Sequence, residues 1–171
     1  MKLSAGYPLS LIKNGLLFSY PKLASNIKTD VLILGGGISG ALAAHYLIQE
    51  GVDCVLIDAR TIGLGSTCAS TSLLQYEIDV SLHQLMKMTG VKAAVRSYKL
   101  GVSAILKLEA LARKTGADDF ERKKSLYSAA YKKDISFLKE EYEARKKYGF
   151  DVRYLDEASL YKEFGFAAHG G

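Results

Sequence analysis

An α/β fold organised around a parallel β-α-β unit is the class this sequence predicts, and three observations predict it. A short apolar run, Val31 to Leu34, enters a turn carrying Gly35, Gly37 and Gly40; an Ala-rich helical segment follows; a second apolar run from Cys54 ends on Asp58. These parts fall in register within about thirty residues, the context that gives G-x-G-x-x-G its meaning as a dinucleotide motif.

Each residue type in the unit has a physical task. Gly35 lets the chain turn tightly out of the strand, Gly37 has no side chain to keep a pyrophosphate off the backbone, and Gly40 with Ala43 and Ala44 lets the helix lie close to the sheet. Phosphates then meet unpaired N–H groups at the positive end of the helix dipole. Asp58, eighteen residues beyond Gly40, is placed to accept hydrogen bonds from an adenosine ribose, and its charge disfavours the 2′-phosphate of NADP. The glycine turn does not separate FAD from NAD, and Asp58 suits NAD at least as well as FAD. The stretch from Gly63 to Ser72, rich in Gly, Ser and Thr, follows the acid directly and offers the hydroxyls and amides that a pyrophosphate or flavin edge needs, which favours FAD.

The remaining elements follow in order. Residues 1–28, with Gly6, Pro8, Gly15 and Pro21, read as an irregular arm; 29–80 form the β-α-β core and its loop; 81–171 form a helical and short-strand region. Ser81 and Gln84 have capping-box spacing. The spacing of Val91, Val95, Tyr98, Val102, Ile105 and Ala112 predicts a helix over 91–115 with that stripe buried. Residues 120–131 read as extended. Asp134 is expected to cap a helix to Lys147 with Ile135, Leu138 and Tyr142 inward, Gly149 to end it, residues 151–155 to form a short strand, and Asp156 to cap a last helix containing Leu160 and Tyr161.

Composition bounds the function. The chain has 171 residues, 49% hydrophobic and 24% charged, as in a soluble globular domain, and it is short for a complete two-domain dinucleotide enzyme. The net charge of +5 lies outside the nucleotide motif: residues 1–79 hold five Lys/Arg against six Asp/Glu, and 80–171 hold eighteen against twelve. Runs such as Arg122-Lys123-Lys124 and Arg145-Lys146-Lys147 are interleaved with acids, so they read as solvated surfaces, and no nucleic-acid partner is expected. Cys54 reads as a small buried hydrophobe and Cys68 as a loop thiol, with no C-x-x-C and no metal cluster, which suits a reduced, cytoplasmic setting. The apolar clusters Leu9 to Ile12 and Leu16 to Phe18 are too interrupted for a signal segment and too short for a membrane span. His45, His83 and His169 have no carboxylate or Cys at ligand spacing and read as incidental.

Read together, Gly35 to Gly40, Asp58 and the loop Gly65-Ser66-Thr67-Cys68-Ala69-Ser70 resemble the N-terminal part of an FAD-dependent oxidoreductase of the D-amino-acid oxidase and glycine oxidase family. The resemblance is strongest over 30–79. It implies a Rossmann-like β-α-β FAD-binding domain with additional helices, truncated before the substrate domain is complete. It implies that Gly35, Gly37, Ile38, Ser39 and Gly40 hold the pyrophosphate and that Asp58, where the family usually has Glu, holds the ribose. Ala59 and Arg60 would lie beside the adenosine, while Ser66, Thr67, Ser70 and Thr71 would approach the pyrophosphate, ribityl chain or isoalloxazine. The implied chemistry is oxidation of a C–N bond in an amino acid or secondary amine by hydride transfer to flavin, with no catalytic residue assigned in this chain and the chain alone inactive. An uncovered apolar surface would then favour self-association. An NAD-binding domain and a non-catalytic nucleotide-binding or scaffolding module are the alternatives.

Overall fold

The computed structural model describes residues 6–15, 18–117 and 119–171. The chain divides into two compact units, Met1–Leu73 and Leu74–Gly171.

In the first unit, β1 (Val31–Leu34) and β2 (Cys54–Ile57) pair in parallel, Val31 opposite Cys54 and Leu34 opposite Ile57. A helix over Ile38–Gln49 makes the crossover between them, as a parallel pair requires. Burial alternates along β1: Val31 and Ile33 are half-buried, while Leu32 and Leu34 are 52% and 75% exposed. All four residues of β2 are half-buried.

The arm is less irregular than its glycines and prolines suggest. A single helical segment, α1 (Leu9–Asn14), starts at Pro8, whose carbonyl accepts from Leu11 N and Ile12 N, and stops at Gly15 with φ +64°. Proline at that position costs nothing, since its missing N–H would have had no helical partner. Leu16 and Leu17, part of the second apolar cluster, lie outside the described residues. The crossover helix is then α2 (Ile38–Gln49). Its contact with the strand end is set by Gly40, where a Cβ would lie 2.0 Å from the Gly35 carbonyl oxygen. Ala44 is half-buried, but Ala43 is exposed and takes no part in the close approach expected of it.

The second unit contains α3 (Leu82–Thr89), α4 (Val91–Thr115), α5 (Ile135–Lys147) and α6 (Glu157–Phe164). Its core gathers Leu82, Leu85, Ala94, Tyr98, Ala144 and Phe150. The α4 stripe is centred on Ala94 and Tyr98, both fully buried, so the buried face begins one turn later than expected and leaves Val91 exposed. Gly116, in the left-handed region at φ +72°, closes α4.

Three local expectations are corrected. Ser81 precedes α3 without capping it: its hydroxyl donates to Gln84 Oε1 at 3.1 Å, and the helix amides are served from elsewhere. Asp134 precedes α5, yet its carboxylate turns back to accept from Tyr131 N at 3.1 Å, closing a 3-10 turn, Lys132–Asp134. Residues 151–155 form no strand among the described residues; their backbone pairing there is limited to Leu155 and Gly171 exchanging two bonds. Asp156 does cap α6, accepting from Ser159 N at 2.8 Å.

Among the described residues no helix is long and apolar enough to cross a membrane, and no group of three His, Cys, Asp or Glu side chains is placed to hold a metal ion. Cys54 and Cys68 are free thiols, both half-buried.

Candidate functional site

The glycine turn, the acid after β2 and the 3-10 turn Ser66–Ala69 meet at the start of α2. Gly35, at φ +106°, turns the chain out of β1 and still donates to Ile57 O at 2.8 Å, so the turn begins at the last pairing of the sheet. Only glycine adopts that φ without strain. Gly36 is buried; a Cβ there would lie 2.7 Å from Ile62 Cγ1. Gly37 is the N-cap of α2 and has no side chain to satisfy the helix amides. The N–H groups of Gly37, Ser39 and Gly40 have no hydrogen-bond partner among the described residues. Helix N-termini leave such donors free unless a cap or ligand takes them.

Asp58 lies beside this turn. Its Oδ2 accepts from Gly36 N at 2.7 Å and its Oδ1 from Arg60 N at 2.8 Å. The Gly36 amide foremost, then the Arg60 amide, holds the carboxyl below the usual carboxylate range. The residue remains exposed, and each carboxylate oxygen has a second lone pair beyond the amide it accepts from.

Thr67 completes the cluster. Its Oγ1 accepts from Ile38 N at 2.9 Å and would lie 3.1 Å from a Cβ on Gly37. The resemblance implies that Thr67 approaches the pyrophosphate, ribityl chain or isoalloxazine; here its hydroxyl substitutes for the side chain that Gly37 lacks. The rest of the expected set is distributed unevenly. Arg60 follows β2 and its guanidinium reaches toward Gly65, 3.6 Å from where a Cβ there would sit. Ala59, Ser66, Ser70 and Thr71 are exposed, and none makes a hydrogen bond to the glycine turn among the described residues; Ser70 Oγ instead accepts from Ser72 N at 3.1 Å. Gly36, Ile62 and Ser10 belong to the cluster without a sequence signal of their own, Gly36 because it sits between the motif's fixed glycines.

A separate polar network lies inside the second unit. Glu141, 3% exposed, accepts from Leu82 N and His83 N at 2.9 Å and from Arg145 Nε at 2.6 Å. It therefore caps α3, the role Ser81 leaves unfilled. His83 Nδ1 lies 2.9 Å from the same carboxylate, an arrangement that requires the proton on Nδ1. Arg145 Nη1 donates to Tyr76 Oη at 3.2 Å and Glu77 Oε1 at 3.0 Å, and its guanidinium lies 5.6 Å and 5.5 Å from the Tyr76 and Tyr98 ring centres. Burial pushes the Glu141 carboxyl up, but the His83 and Leu82 amides with Arg145 bring it net below its ordinary value. Burial first, and Glu141 second, raise the Tyr98 hydroxyl to about 12. His83, read as incidental, is thus a satisfied interior group, and Arg145 is a buried cation where the sequence suggests a solvated one.

The chain is similar to known proteins over this region. The FAD dependent oxidoreductase family, DAO, matches residues 30–171. YhfW of Bacillus subtilis (strain 168), whose name describes a Rieske 2Fe-2S iron-sulfur protein, is 31% identical over 87 residues, 51% of this chain and 17% of that protein. An anaerobic glycerol-3-phosphate dehydrogenase subunit of Haemophilus influenzae is 26% identical over 132 residues, 77% of this chain and 21% of that protein. The tRNA 5-methylaminomethyl-2-thiouridine biosynthesis bifunctional protein MnmC of Maricaulis maris is 40% identical over 50 residues, 29% of this chain and 8% of that protein. The chain thus spans about a fifth or less of these relatives' lengths. No solved structure matches it significantly. A family match over most of the chain, on residues that include the whole β-α-β unit, decides between the two dinucleotides that the glycine turn alone leaves open: the chain belongs to the FAD-dependent oxidoreductase family, and its cofactor is FAD.

Proposed function

We propose that residues 29–80 are the FAD-binding core of an oxidoreductase that oxidises the C–N bond of an amino acid or secondary amine. The observation that carries the binding reading is the set of amides at Gly37, Ser39 and Gly40 without a partner among the described residues, gathered around a Cα with no side chain at the start of a twelve-residue helix. An anion with oxygens spaced like a diphosphate satisfies such donors together.

In this reading Gly35, Gly37, Ile38, Ser39 and Gly40 hold the pyrophosphate by backbone, and the remaining lone pairs of the exposed Asp58 carboxylate accept from the adenosine ribose. Ala59 and Arg60 flank the adenosine. Ser66, Thr67, Ser70 and Thr71 line the path toward the ribityl chain. Bound FAD supplies the two-electron acceptor for hydride leaving the substrate carbon. Residues 1–28 serve as an arm over this core and 81–171 begin the substrate side. The free thiols of Cys54 and Cys68 support a cytoplasmic setting.

The amine class draws support from the resemblance to amino-acid oxidases and from the methylaminomethyl group in the MnmC relative's name. A second reading, oxidation of a C–OH bond in a phosphorylated polyol, is favoured by the glycerol-3-phosphate dehydrogenase relative, which aligns with 77% of the chain. Anaerobic mixing of the FAD-loaded complete protein with a panel of amino acids, N-methyl amino acids and glycerol 3-phosphate separates them. Bleaching of the flavin absorbance by an amine is the expected result; bleaching by glycerol 3-phosphate alone would assign the second reading.

A further inference from the structure

The Ile38 amide is the first helical N–H of α2, and Thr67 Oγ1 already accepts from it at 2.9 Å. A diphosphate oxygen seated at the start of α2 requires the same donor, so Thr67 and the phosphate compete for one hydrogen. Thr67 reaches that position because the 3-10 turn Ser66–Ala69 lies against Gly37. The turn is itself tied down. Helix α1 of the arm packs on it, and Ser10 Oγ donates to Cys68 O at 2.7 Å, a contact spanning 58 residues of sequence. Leu9 and Ile12, large apolar side chains of α1, are exposed while Pro8 and Leu11 are half-buried, and the Ser10 bond joins the arm to the backbone of the turn itself.

We propose that α1 is a latch on the cofactor cradle. Through Ser10 it keeps the 3-10 turn closed against α2, the Thr67 hydroxyl caps the Ile38 amide while no anion is bound, and release of the arm sets the rate at which the cofactor's diphosphate enters. The gating half of this inference rests on the FAD-binding reading above; the closed turn does not.

Two measurements on the 171-residue chain, with Ser10→Ala and Ser10→Thr beside the natural sequence, test both halves. By NMR hydrogen exchange without cofactor, S10A exchanges the Ile38 amide about fivefold faster, the factor expected for one neutral hydrogen bond, while S10T, which keeps the donor, matches the natural chain. Ser10 does not touch Ile38, so simple loss of packing at the arm does not produce that change. In stopped-flow quenching of flavin fluorescence, S10A takes up FAD about fivefold faster and S10T at the natural rate. Equal Ile38 exchange in S10A and the natural chain overturns the latch. Faster Ile38 exchange with unchanged FAD uptake overturns the gating. Absence of flavin quenching in all three proteins overturns the FAD-binding reading itself, and gating with it, whatever the exchange data show.

Discussion

The two units of this chain solve opposite problems. In Leu74–Gly171 the core is apolar, closed and anchored by a buried ion network, with Leu82, Tyr98 and Leu160 fully inaccessible. In Met1–Leu73 the one buried residue among those described is Gly36, and Leu32 and Leu34 stand exposed on β1. The unit that holds the glycine turn is the one with least packing of its own. Its order comes from close backbone approaches and hydrogen bonds: Gly40 against Gly35, Asp58 on Gly36, Thr67 on Ile38. Such a unit gains proportionally more from a ligand, because anything that binds only the folded state adds its binding free energy to a small sum.

The largest expected effect sharpens this contrast from the packed side. Glu141→Ala leaves the buried Arg145 with Glu77 and Tyr76 but no partner for its Nε, and strips the cap from α3, at a cost of about 3 kcal/mol in urea denaturation. Replacing both partners with apolar residues, Glu141→Met with Arg145→Leu, is expected to return most of that loss, as buried pairs often contribute little net stability. No recovery in the double variant would mean that the cap, rather than the ion pair, carries the energy.

Gly40→Ala comes next and strikes the other unit. Its methyl would enter the space of the Gly35 carbonyl, and backbone on both sides cannot yield cheaply. A cost of about 2 kcal/mol is expected, seen as roughly thirtyfold weaker FAD binding by fluorescence titration. Asp58→Asn ranks third. It removes the charge that two amides stabilise, so FAD affinity should fall about tenfold while the urea midpoint of the second unit stays put. An Asn variant that binds as well as the natural chain would remove Asp58 from the site.

The smallest effect is a pH dependence in the second unit. Arg122 foremost, then Arg113, holds the Glu109 carboxyl at about 2 against an ordinary 4.5. A depressed carboxyl contributes stability that is fully present above the ordinary value and is lost as pH falls toward the folded one, here between about 4.5 and 2. Both arginines are solvent-exposed, so the loss is modest and shrinks in high salt. Thermal melts across that window should show Arg122→Ala flattening the acid-side decline; an identical decline would exclude the pair.

The same contrast explains what can be read from sequence. The β-α-β unit is legible because every part of it is local: strand, glycines, helix and acid lie within one run. Helix α4 is legible to its ends, Val91 and Thr115, because its apolar period is regular and glycines stand on both sides. Glu141 and Arg145 are not legible. An i,i+4 acid–base pair in a charged helix looks like surface, and only the packing of α5 against α3 puts it inside. The Ser10 contact with Cys68 bridges an arm and a loop that share no pattern, so no periodicity announces it. The strand expected over 151–155 is missing for a related reason, since its backbone partner there is Gly171 alone among the described residues.

Central to the account is a diphosphate held by the start of α2 within the first unit. The direct test is a titration of the isotopically labelled 171-residue chain with FAD, followed amide by amide. Saturable shifts should concentrate at residues 35–40, 58–60 and 66–71, with the second unit unmoved. Shifts centred on the second unit, or no saturable shift in the glycine turn, would contradict it.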